Sequence, residues 1–85
     1  MAHEPNLKLQ KAMGRALAKA MDGRNVSAPE LAARTGAGKQ NINEIRSGRN
    51  CSLNMWHCLC DGLGIRFWRI SRAAEIEMKK MEGDK

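Results

Sequence analysis

Residues 27–48 read SAPELAARTGAGKQNINEIRSG. Ser27 with Glu30 three residues on is the capping-box spacing that opens a helix, and Pro29 falls in the first turn, where a missing N–H does no harm. That helix spans about 28–35. Gly36-Ala37-Gly38 then makes a tight turn, and another helix follows over about 39–47, closed by Gly48. Two short helices joined this way need few inward contacts, here Leu31, Ala32, Ile42 and Ile45. At about 100° per residue, Ile42, Ile45 and Asn41 fall on the inner side of the second helix. Gln40, Asn43, Glu44 and Ser47 fall opposite, with Lys39 at the edge. Any surface helix shows polar groups to water. This one shows amides rather than the Glu/Lys mixture of a merely solvated helix, and amides pair bidentately with adenine edges in the major groove of DNA. Gly38 leaves its first turn free, and open amides there suit a phosphate or another acceptor.

Working outward, the periodicity predicts three more helices. The first covers about 6–21, with Leu9, Met13, Ala16, Leu17 and Ala20 as its apolar stripe. Asp22-Gly23 is expected to stop it, Gly taking the left-handed conformation, and Val26 to plug the core from the loop. Ser52 is a candidate N-cap for a helix over about 53–62 that turns Leu53, Trp56, Leu59, Cys60 and Leu63 inward and stops at Gly64. Trp56 falls on the inner stripe and is expected in the core. The last helix, about 67–81, carries Phe67, Ile70, Ala74, Met78 and Met81 as a narrow seam that either lies along the domain or meets a second copy. Trp68 and Ile76 fall outside the seam. Met1–Pro5 is expected to fray and Asp84-Lys85 to be a solvated end. The reading is one all-α domain over 1–85.

Composition agrees. Five Ile, one Val, one Thr and no Tyr in 85 residues argue against a β-rich fold. No apolar run reaches membrane-spanning length and no signal-peptide pattern occurs, so a soluble, cytoplasmic protein is expected. The net charge is +6. Residues 1–50 hold nine Lys/Arg against four Asp/Glu, whereas residues 51–85 hold six against five. The excess therefore lies in the half with the helix pair, where it favours polyanions without conferring selectivity. Cys51, Cys58 and Cys60 are expected to be reduced structural thiols. Cys58 and Cys60 point about 200° apart on a helix, so with His57 they make a poor zinc set, and no metal or cofactor is implied. No Ser/His/Asp set, paired carboxylates, P-loop or dinucleotide fingerprint can be assembled, so catalysis is not expected.

The pattern Ser27-x-x-Glu30-Leu31-Ala32, Gly36-Ala37-Gly38-Lys39, Ile42-x-x-Ile45-x-x-Gly48 resembles the helix-turn-helix of the phage Cro and repressor family (XRE-like). The resemblance continues through Ser52-Leu53-x-x-Trp56 and Cys60-x-x-Leu63-Gly64-Ile65, and covers about Leu9 to Ile70. It implies a five-helix, lambda-repressor-like bundle that binds double-stranded DNA as a homodimer at two-fold operators and regulates transcription, in a phage, prophage or mobile element. Carried over by position, Lys39, Gln40, Asn43 and Glu44 would reach base edges, Glu44 either accepting from a cytosine amine or repelling phosphate. Arg49, Asn50, Ser27, Arg24 and Arg46 would hold phosphates, although Arg46 flanks the contact face and can instead pair with Glu30 or Glu44. Phe67, Ile70, Ala74, Met78 and Met81 would form the dimer interface. The chain departs from the family at Ala28, commonly Gln; at Arg46, often Glu; at Cys51, often Pro; and at Gly38, usually a Ser/Thr cap. The spare apolar residues of the last helix also suit an antitoxin or adaptor that engages a partner protein. RNA is disfavoured for want of an exposed aromatic platform.

Overall fold

The computed structural model describes residues 6–83, and among these the chain forms five helices and no strand. They are α1 (Leu7–Gly23), α2 (Ala28–Thr35), α3 (Lys39–Arg46), α4 (Leu53–Leu63) and α5 (Phe67–Gly83). Met1–Pro5 and Asp84-Lys85, expected as frayed or solvated ends, lie outside the described residues.

Three of the starts have a local cause. The Asn6 side chain accepts from the Leu9 amide at 2.9 Å, Ser52 caps α4 by accepting from Met55 N–H at 3.0 Å, and Ser27 and Glu30 form the expected capping box on α2. The stop of α1 differs from expectation. Asn25, not Gly23, takes the left-handed conformation at φ 57°, and the Val26 amide reaches back to Met21 O at 2.9 Å. Asn is one of the few residues with a Cβ that tolerates this region. The resulting Schellman closure turns Val26 into the core.

α1 is the central support: α5 packs along it, α3 crosses it, and α2 bridges α3 and α4. The core joins Ala12, Ala16, Leu17 and Met21 of α1 to Leu31, Ile42, Ile45, Trp56, Leu59, Leu63, Ile70 and Ala74. Trp56 is buried there, as its position on the α4 stripe implied.

Two expectations need correction. Leu9 and Leu53 do not turn inward but stand 38% and 61% exposed, because they sit in the first turns of α1 and α4 at the rim of an open cleft. Within the α5 seam Ile70 and Ala74 are sealed in the core and so closed to a second copy, whereas Phe67, Met78 and Met81 pack against the core and stay partly exposed. Ala16 and Ala20 of α1 line one depression with Ile70 and Ala73 of α5, so small residues of α1 stand where α5 packs. Glu77 joins the buried side of α5, held by the Lys19 ammonium, and Lys8 pairs with Glu82 at 3.6 Å. The Lys19 contact keeps the Glu77 carboxyl below its usual pKa.

Candidate nucleic-acid interface

The turn between α2 and α3 is fixed by Thr35 and Gly36. Thr35 Oγ1 donates to Leu31 O at 2.7 Å and accepts from the Ala37 amide at 3.1 Å. Gly36 adopts φ 79°, a region that a side chain would resist. These bonds end α2 and aim the chain into α3, whose Ile42 and Ile45 are fully buried. With that side anchored, Lys39, Gln40, Asn43, Glu44 and Ser47 all face out, and Asn41 and Arg46 are half-buried at the flanks. α3 starts at Gly38 without a side-chain cap.

The α1 side of this arrangement depends on Gly14. A Cβ there would stand 2.6 Å from the carbonyl oxygen of Arg46 and 2.7 Å from that of Ile45, so α1 meets the last turn of α3 backbone to backbone. Periodicity had not singled out Gly14. The available hint was a glycine in the middle of an amphipathic helix, where it costs about 1 kcal/mol against alanine unless close approach requires it.

The polar side chains form a linked surface. Arg49, in the loop after α3, pairs with the Glu44 carboxylate and donates from its other terminal nitrogen to Asn41 Oδ1. Asn41, read as part of the inner side, is therefore a brace for Arg49. Arg46 donates to Asn43 Oδ1 at 3.4 Å; Glu30 pairs instead with Arg34, at 3.9 Å. Gln40, Asn43, Glu44, Ser47 and Arg49 together line a shallow depression of about 420 Å³. It is an open surface suited to a broad polar partner rather than an enclosed small-molecule site.

The remaining predicted residues are placed unequally. Asn50 is exposed beside Arg49 in the same loop. Ser27 is exposed at the start of α2, with its oxygen accepting from the Glu30 amide at 3.2 Å. Arg24 is exposed in the loop after α1, where it borders a depression with Ile65 and Arg69. The cysteines give no chemistry here. Burial pushes the Cys60 thiol up to about 11, with Asp61 adding to the shift, and burial also raises Cys51 against the opposing pull of Arg49. Among the described residues no group of three or more His, Cys, Asp or Glu is placed to hold a metal ion, and no helix is long and apolar enough to cross a membrane.

Among solved structures, this chain is similar to the clp gene regulator ClgR from C. glutamicum. The TM-score is 0.80 at 25% identity, over 92% of this chain and 99% of that chain. No family model matches the sequence, and no curated protein does. The likeness in fold thus extends over nearly all of both chains, and the arrangement is that of a helix-turn-helix bundle.

Proposed function

We propose that this chain is a sequence-specific DNA-binding regulator of transcription, of the repressor/Cro type, that lays α3 in the major groove. The observation that carries the reading is the outward side of α3: Lys39, Gln40, Asn43 and Glu44 exposed together above the buried Ile42 and Ile45. The description of ClgR as a gene regulator supports it. The amides of Gln40 and Asn43 match the donor–acceptor pair on adenine, and Lys39 matches the acceptors on guanine. Glu44, its charge offset by Arg49, repels phosphate less and keeps acceptor capacity for a cytosine amine. Arg24, Ser27, Arg46, Arg49 and Asn50 supply phosphate contacts.

One α3 covers about half a site, so two copies on an inverted repeat, with α3 helices about 34 Å apart, complete the reading. With Ile70 and Ala74 inside the core, the surface we assign to pairing is the apolar cleft of about 340 Å³ beside the loop that follows α3. Leu9, Leu53 and Phe67 line it, with Trp56 also in its wall, and Arg49 and Asn50 border both this cleft and the phosphate-contacting loop. Leu53 is mostly exposed in one copy, so Leu53→Asp should leave the fold intact and sediment as a monomer. Unchanged dimerisation would refute this surface.

Titration of labelled duplexes at several salt concentrations tests the DNA reading. Affinity should fall steeply with salt as phosphate counterions are displaced. Gln40→Ala should lose about 1–3 kcal/mol on the preferred sequence, whereas Arg49→Ala should weaken all sequences alike. If Gln40→Ala and Asn43→Ala both keep the full preference, α3 is not the reader.

A further inference from the structure

The inward side of α5 is satisfied within the bundle; the outward side is not. Trp68 and Ile76 stand 55% and 49% exposed, two helical turns apart, about 12 Å at 1.5 Å per residue. Arg69, Arg72, Lys79 and Lys80 surround them, all exposed, against the single carboxylate of Glu75. Among the described residues none of these five charges has an ion-pair partner. The Arg69 guanidinium lies 5.6 Å from the centre of the Trp68 ring. A shallow groove of about 390 Å³ runs between Trp68, Arg69, Arg72, Ala73 and Ile76. Tryptophan and arginine are the residue types that most often dominate binding energy at protein interfaces.

We propose that this face docks an acidic, amphipathic segment of a partner protein, with two large apolar side chains seven or eight residues apart seated on Trp68 and Ile76. Charge selects the occupant. A second copy laid face to face would oppose four cations and one carboxylate with the same set, and like charges brought together across an interface are costly. Duplex DNA would answer the cations but would leave Trp68 and Ile76 with no apolar partner. An acidic segment with apolar anchors answers both. α5 packs on α1 and α4, so docking there leaves the outward side of α3 open. The inference goes beyond the DNA reading and stands without it.

The test pans a displayed library of random peptides, roughly 16 residues long, on the full chain, with counter-selection on the Trp68→Ala/Ile76→Ala variant. Circular dichroism should show that variant folded, since both side chains are about half exposed. The expected enrichment is for net-acidic peptides with two large apolar residues at that spacing. A synthetic peptide of the enriched class should bind Trp68→Ala and Arg72→Glu at least about tenfold more weakly, and wild type more weakly as salt rises. Three results would overturn the proposal: no enrichment beyond the doubly substituted protein, enrichment of neutral or basic peptides, or peptide binding indifferent to Trp68→Ala. Conversion of a dimer to a monomer by Trp68→Ala would assign the face to self-association instead. Loss of duplex affinity in Arg72→Glu without loss of peptide binding would assign it to DNA.

Discussion

A Cβ on Gly14 would meet the backbone oxygens of Ile45 and Arg46, which unlike the end of a flexible side chain have nowhere easy to go. Gly14→Ala therefore must push α1 and α3 apart. Overpacking of this kind costs about 1–3 kcal/mol, readable as a lower denaturation midpoint. The DNA account adds that affinity for a preferred duplex should fall further than the loss of folded protein explains, because the variant moves the helix that reads. Glu44 makes the converse case. Its pair with Arg49 is about half exposed on both sides, so it contributes only about 0–1 kcal/mol to stability. Glu44→Gln should leave the melting curve nearly unchanged while freeing Arg49 for phosphate. Non-specific duplex affinity should then rise at low salt, and an unchanged affinity would show that the pair does not restrain Arg49.

α3 and α5 were legible in the sequence to different depths. The inner and outer sides of α3 followed from Ile42 and Ile45, because a helix with only two large apolar residues has one way to bury them. α5 has apolar residues on more than one side, so periodicity alone left its seam open between α1 and a second copy. The burial of Ile70 and Ala74 places that part of the seam inside the bundle, and it depends on contacts between chain segments far apart in sequence. The same holds for Gly14, and for Asn41, whose role as a brace for Arg49 needs the return path of the loop. Leu9 and Leu53 were misplaced because a stripe says which way a side chain points but not whether a neighbouring helix reaches the first turn. The placement of α5 also predicts a pH dependence. The Lys19 contact holds the Glu77 carboxyl below the ordinary 4.5. Its stabilisation is thus fully present above about pH 4.5 and is lost as pH falls through the depressed folded value. Urea midpoints measured from neutral pH down to about 3 should fall more for wild type than for Glu77→Gln; parallel curves would remove Glu77 from the docking of α5.

Across the molecule, the two proposed binding functions sit on different supports. The polar side of α3 rests on α1 and α2, and the basic, apolar-anchored side of α5 rests on α1, so α1 carries both. The charge excess of residues 1–50 lies with the α2–α3 half, while residues 51–85 hold six Lys/Arg against five Asp/Glu, two of which, Glu77 and Glu82 of α5 itself, are taken up by Lys19 and Lys8. Summed charge therefore pointed to α3 and concealed α5, which emerges only once burial shows which acids have turned inward or paired. The claim on which the functional account rests is that Lys39, Gln40 and Asn43 read bases. Its most direct measurement is parallel selection of bound duplexes from random DNA with wild type and with Gln40→Ala. The account predicts an inverted repeat for wild type and, for Gln40→Ala, the same repeat with preference relaxed at one base pair in each half. No enriched sequence with wild type, or an identical preference from both proteins, would contradict it.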